Sequence, residues 1–496
     1  MMNSLRKQPW YLFLLPLFFV MHGFVENFGF INFWDVLILA TTYVAGAIIL
    51  FFLIFLLFKN RVKAAMAASF IIAFYLFFGA IQDLCKSHLP VLNRYSLLLS
   101  LFAIMFIAVV VYLKKSKNSF SKLNLFLNSL FLLYIIVDFG LLVYKNFNPP
   151  VNKLSIYPFE KSHSYKPCDS CSKPDIYFLL FDEYASSASL RNYFNFDNSL
   201  DTFLLSQGFH IQSQSTSNYN FTPFSMASLL NMSYLAGIKP GEISIEDYAR
   251  CTDLIKKNAV INFLSAEGYD IVNYSIFDLA GNPSMISQDF LPLQTKLISD
   301  GTLFSRLQKD LGWLLVTSKF EIKWLSDKVF YQGMRNNESF IGHLKKSSST
   351  VADKPRFFYA HLFMPHRPFY FDKNGHEKNG EDIYRSSEEL NTDAYLQYVS
   401  YTNTRIRDLI SAIKRNTNNK AVIIFMGDHG FRKPTADGDL THYFDNQNAV
   451  YIPSKDYHLL YDSVSAVNQF RIIFNTLFRQ DFTILKDSSI FLTDKK

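Results

Sequence analysis

The chain has 496 residues, 49% of them hydrophobic and 17% aromatic, and its 49 Lys and Arg against 42 Asp and Glu give a net charge of +7. So modest a surplus, part of it between apolar runs, suits anionic lipid surfaces and excludes an electrostatic nucleic-acid binder. No internal repeat, low-complexity tract or nucleotide-binding Gly motif interrupts it.

The apolar residues concentrate before residue 145. Five runs, roughly 10 to 30, 36 to 58, 64 to 83, 95 to 113 and 124 to 144, are each long and apolar enough to span a bilayer, so a five-helix transmembrane domain is expected over residues 1–145. Arg6 and Lys7 precede the first run, Lys59, Arg61 and Lys63 follow the second, and Lys114, Lys115, Lys117 and Lys122 follow the fourth; the other two loops offer only Lys86 and Arg94. By the positive-inside rule the N-terminus is then cytoplasmic, and an odd number of spans leaves the remainder outside. No small-x-small site follows the first run, which makes it a poor cleavable signal peptide. Asp138, inside the fifth run, should face the bundle or a polar cavity.

A polar linker follows over 146–173, with Cys168-Asp-Ser-Cys171. In a cytosolic enzyme that spacing would suggest redox or zinc chemistry, whereas outside the membrane a local disulfide is the better reading. The rest, 174–496, is long enough for one large α/β domain. Its strand-like runs are 175–181, 269–274, 356–363, 421–426 and 449–452, with a helical pattern over 393–415.

Within that domain, Pro174-Asp-Ile-Tyr-Phe-Leu-Leu-Phe-Asp182-Glu183 ends a β-rich run in two acids, and Ala421-Val-Ile-Ile-Phe-Met-Gly427-Asp428-His429-Gly430 ends another in Asp and His. Strand ends can converge outside the carboxyl edge of an open α/β sheet, where such donors make a metal site. Between them, Asn218-Tyr-Asn-Phe-Thr222-Pro-Phe-Ser225-Met-Ala-Ser228-Leu-Leu runs from a hydroxyl-rich loop into a helical stretch. Thr222 before Pro223 reads either as a helix N-cap or as a nucleophile at a helix N-terminus, where amide donors also favour an anion. His361-Leu-Phe-Met-Pro-His366-Arg-Pro and Asp439-Leu-Thr-His442 add His366 and His442 as candidates for substrate or a second metal. His361 alternates within a strand and is left out of the site.

These motifs, in this order over roughly residues 174 to 455, resemble the alkaline-phosphatase/sulfatase superfamily, whose sulfatase nucleophile motif reads Cys-x-Pro-Ser-Arg-x-Ser-Leu-Leu-Thr-Gly. Laying its Ser-Leu-Leu on Ser228-Leu229-Leu230 puts the family's nucleophile on Thr222, its acidic strand-end pair on Asp182 and Glu183, and its second metal motif on Gly427 to Gly430. A Thr there is similar to the membrane-bound branch, the lipoteichoic acid synthases and lipid A phosphoethanolamine transferases, which also place five membrane helices before one catalytic domain.

The resemblance implies a five-helix bundle followed by an α/β/α sandwich with an alkaline-phosphatase-like mixed sheet. It also implies a divalent metal, Zn or Mn, held by Asp182, Thr222, Asp428 and His429, with Glu183, His366 and His442 nearby. The implied enzyme is a phosphotransferase of the bacterial inner membrane, its catalytic domain extracytoplasmic. It would move phosphoethanolamine or phosphoglycerol from a phospholipid donor, through phospho-Thr222, to an envelope glycan or lipid acceptor. A membrane-anchored phosphodiesterase or sulfatase-like hydrolase is the alternative within enzymes. A non-catalytic envelope-assembly or glycan-binding protein is the alternative outside them.

Overall fold

The computed structural model describes residues 2–148, 154–156, 166–238, 241–286, 295–311, 331–435 and 438–494. The chain divides into two compact units by interleaving: residues 1–151 with 288–315 form one, and 152–287 with 316–496 the other. A single cut between a membrane domain and residues 174–496 therefore does not describe it.

The first unit is helical. Its elements are α1 (Met2–Lys7), α2 (Tyr11–Glu26), α3 (Phe33–Phe58), α4 (Arg61–Leu76), α5 (Phe78–His88), α6 (Tyr95–Lys115) and α7 (Ser121–Phe147). Among the described residues three helices, α3, α6 and α7, are long and apolar enough to cross a membrane, and α4 with α5 makes a fourth if the pair, bent by 61°, is one span. The expected five are thus not all found as such. The run from 10 to 30 forms only the 16 helical residues of α2, about 24 Å against a hydrocarbon core of about 30 Å, and the run from 64 to 83 breaks at Phe77. Leu56, Ile49 and Leu53 of α3 stand exposed, an apolar surface that a lipid phase would cover. Asp138 turns inward, 3% exposed, with Oδ1 3.1 Å from Nδ1 of His22.

Residues 295–311 pack on this bundle through Gly79, whose N–H donates to the Gly301 carbonyl at 2.7 Å. A Cβ on Gly79 would lie 2.7 Å from that oxygen, so only glycine allows the approach. Arg306 pairs with Asp83 at 2.9 Å and Tyr95 donates to Asp310 at 2.5 Å.

The second unit is built on strands β1 (Ser155–Ile156), β2 (Ile176–Phe181), β3 (His210–Ile211), β4 (Leu235–Ala236), β5 (Gly241–Ile243), β6 (Asp270–Tyr274), β7 (Arg356–Leu362), β8 (Val422–Gly427), β9 (Asn448–Tyr451) and β10 (Leu492–Asp494). Six of them form a mixed sheet in the order β3-β9-β8-β2-β7-β6; β1 pairs with β4 and β10 with β5. β2 lies between β7 and β8, parallel to both, whereas β9 is antiparallel to β8. Alternation along β2 sends Ile176, Phe178 and Leu180 into one apolar cluster and Tyr177, Leu179 and Phe181 into another. The first cluster also takes Phe224 of the helix Thr222–Asn231, the second Tyr395 and Ile406 of the helix Thr392–Asn416. Helices therefore cover both faces, which is why the central strands read as continuous apolar runs.

Candidate active site

The register decides what the strands deliver. Phe181 of β2 pairs with Leu362 of β7 and with Gly427 of β8, so Asp182 and Asp428 leave the sheet side by side. Both are buried, and the Asp182 amide donates to the Leu362 carbonyl at 3.0 Å. Glu183 follows with φ of +60°, a left-handed conformation that bulky residues seldom adopt. Its own amide donates to Asp428 Oδ1 at 2.8 Å.

Two glycines let the second motif close. A Cβ on Gly427 would sit 2.4 Å from the Tyr184 carbonyl oxygen, and one on Gly430 only 2.2 Å from that of His442. Ser225 Oγ donates to the Asp428 carbonyl at 2.7 Å, tying the helix Thr222–Asn231 to the end of β8. That helix begins at Thr222 with Phe221 in the cap position and no side-chain cap. Thr222 is thus not the N-cap; its Oγ1 lies 3.3 Å from His429 Nε2. His429 Nδ1 faces the Gly430 carbonyl at 2.9 Å. Since a carbonyl only accepts, Nδ1 donates to it, and Nε2 faces both Thr222 Oγ1 and, at 3.3 Å, Asp428 Oδ2.

Two groups that the sequence reading left out belong here. His361 Nε2 is 3.3 Å from Asp182 Oδ2, and Asp182, His361 and Asp428 can each turn a ligand atom to within 4.8 Å of the others. Arg432 donates from its backbone N–H and its Nε to Glu183 Oε1, at 3.1 and 3.3 Å, and from its guanidinium to His366 Nε2 at 3.3 Å. His366 accordingly joins the site's rim, with Nε2 3.8 Å from Glu183 Oε2. His442 packs instead among the rings of Tyr193, Phe194 and Tyr443, its Nε2 2.8 Å from the Lys433 carbonyl oxygen.

The electrostatics favour a cation. Burial opposes charge on Asp182, but His366, His361 and His429 outweigh it and hold the carboxyl well below its usual range. Glu183 is also lowered, burial being outweighed by Arg432, His366 and His429. Among the described residues, Asp182 Oδ1, Glu183 Oε2 and Asp428 Oδ2 nonetheless have no hydrogen-bond partner, the last two facing His366 Nε2 at 3.8 Å and His429 Nε2 at 3.3 Å. Buried carboxylate oxygens that lack hydrogen bonds are costly. Carboxylate, imidazole and hydroxyl donors converging in this way fit a divalent ion of the Zn or Mn type.

Residues 293–454 match the family model described as Sulfatase, a stretch that carries His361, His366, Asp428, His429 and Arg432. Among solved structures, the C-terminal periplasmic domain of phosphoethanolamine transferase EptC from Campylobacter jejuni is 12% identical, with 64% of this chain and 92% of that one covered and a TM-score of 0.37. The corresponding EptC domain from Escherichia coli, in complex with Zn, is 12% identical, covers 64% and 87%, and has a TM-score of 0.38. A phosphonate monoester hydrolase of Agrobacterium radiobacter is 14% identical, with coverage of 62% and 74% and a TM-score of 0.35. Scores this low carry no argument about chemistry. No curated protein matches the chain.

Proposed function

We propose that this chain, which carries a sulfatase-family domain beside apolar membrane-anchoring helices, is an integral membrane phosphotransferase that takes phosphoethanolamine or phosphoglycerol from a phospholipid and gives it to an envelope glycan or lipid. The observation that carries this reading is the Thr222 hydroxyl, 3.3 Å from His429 Nε2, which itself lies 3.3 Å from the buried Asp428 carboxylate. A binding protein gains nothing from that arrangement.

Asp182, His361, Asp428 and His429, with Thr222 and Glu183 beside them, would hold the divalent ion. When bound it would lower the pKa of the hydroxyl and neutralise phosphoryl oxygens. The chain's own groups supply the rest. Thr222 is a poor nucleophile unless its proton is drawn off or its alkoxide is stabilised, and His429, held by its Nδ1 on the Gly430 carbonyl, keeps Nε2 beside the hydroxyl, where it can join the ligand set. As Oγ1 attacks, an O–P bond forms and the bond from phosphorus to the diacylglycerol oxygen breaks, that oxygen leaving with a proton. The acceptor hydroxyl then attacks phosphorus and returns Thr222. Arg432, whose positive charge the neighbouring acids reinforce against burial, stands at the rim to hold a phosphoryl oxygen, because such transfer needs mostly positioning and charge stabilisation. Five membrane passes with the catalytic unit outside belong to this proposal. So does the bacterial inner membrane, where anchoring raises the effective concentration of a lipid donor.

Purified protein given labelled phosphatidylethanolamine or phosphatidylglycerol should release diacylglycerol and, with the acceptor present, pass the label to it. Thr222→Ala should lower the rate by roughly 10³-fold or more while the fold stays intact. Rapid release of free head-group phosphate, indifferent to any acceptor, would favour the hydrolase.

A further inference from the structure

One end of the helical unit gathers most of its Lys and Arg. The loops there carry Arg6, Lys7, Lys59, Arg61, Lys63, Lys114, Lys115, Lys117 and Lys122, with no Asp or Glu anywhere in residues 1–25, 36–82 or 84–137. Side chains lace these loops together: Lys63 Nζ donates to the Ser116 carbonyl at 2.8 Å, and Asn124 and Asn128 of α7 donate to the carbonyls of Leu5 and Gln8.

At this end opens a cavity of about 770 Å³. Leu15, Phe70, Val109 and Leu127 give it apolar walls, and Asn118 to Lys122 form a polar rim. Phe120 of that rim is held at φ +52°, a left-handed conformation uncommon for an aromatic residue. Two hydroxyls on the wall, Tyr11 OH and Ser69 Oγ, have no hydrogen-bond partner among the described residues, and Tyr11 is wholly buried. Tyr11 is fixed in place, since its amide donates to Asn128 Oδ1 at 2.6 Å.

We propose that this cavity binds a resident anionic phospholipid, with an acyl chain along the apolar wall, the phosphate at the Asn118–Lys122 rim, and the Tyr11 hydroxyl donating to an ester or phosphate oxygen. A soluble anion would leave the apolar wall uncovered. A zwitterionic lipid would leave the cations unmatched, whereas basic pockets between membrane helices suit anionic head groups. The cavity shares no lining residue with the candidate active site, so it stands or falls independently of the reaction.

Native mass spectrometry of the full chain, titrated with phosphatidylglycerol or with phosphatidylcholine of the same acyl chains, tests it. Phosphatidylglycerol should be retained at least fivefold more, and Lys122→Gln and Tyr11→Phe should each reduce that preference at unchanged melting temperature. Lys86→Gln, in the last turn of α5, should leave it as it is. Equal retention of the two lipids, a preference that both variants preserve, or displacement of the lipid by equimolar glycerol 3-phosphate would overturn the assignment.

Discussion

At the scale of single residues, the site turns on where unpaired charge has been left. Asp182, Glu183 and Asp428 were legible because acids at the end of an apolar run have few structural uses. Thr222 was legible through the resemblance and not through spacing, since Thr before Pro also describes a cap. His361 was passed over for a physical reason: in a strand covered on both faces every position is buried, so alternation cannot separate a core side chain from one that faces Asp182. Arg432, two residues beyond Gly430, carried no signal in one sequence. From the geometry of His361 we expect His361→Ala to weaken metal binding by about tenfold or more with the sheet intact. Metal analysis and circular dichroism of the purified variant check this, and full metal content would remove His361 from the ligand set.

At the scale of elements, the expected runs at 175–181, 269–274, 356–363, 421–426 and 449–452 correspond to β2, β6, β7, β8 and β9, and the pattern over 393–415 to the helix Thr392–Asn416. The edge strand β3 was not foreseen, because two residues carry no period. Cys168 and Cys171 are joined in a disulfide. The turn between the short helix Thr441–Phe444 and β9 allows a prediction about pH. Burial and the nearby charge of Asp439 push the Asp445 carboxyl up to about 6 from 3.8. The folded state therefore binds this proton more tightly than the unfolded one, so the contribution to stability is present below about pH 4 and is lost as pH rises through 6. Asp445→Asn should melt higher than the parent at pH 7.5 and alike at pH 4, as thermal scans at the two values would read. A variant less stable at pH 7.5 would contradict it.

At the scale of the whole molecule, hydropathy found the apolar runs but not their breaks, because the turns at Asn27–Asn32 and Phe77 lie inside stretches whose composition stays apolar. Nor did it find residues 295–311 on the bundle, a short polar-apolar mixture that only packing assigns. In the proposed orientation, a reporter active solely outside the cytoplasm should work when fused after residue 150 and fail near Lys115. The reverse result would invert the topology.

In the proposed reaction a lipid head group passes through Thr222. Mass spectrometry of the Thr222 peptide, after the full chain has been mixed with phosphatidylethanolamine without acceptor and quenched in acid, reads this step. A phosphoethanolamine adduct should appear on Thr222, be lost when acceptor is added and be absent from Thr222→Ala. Diacylglycerol release with no adduct on Thr222, or with the adduct on another residue, would contradict it.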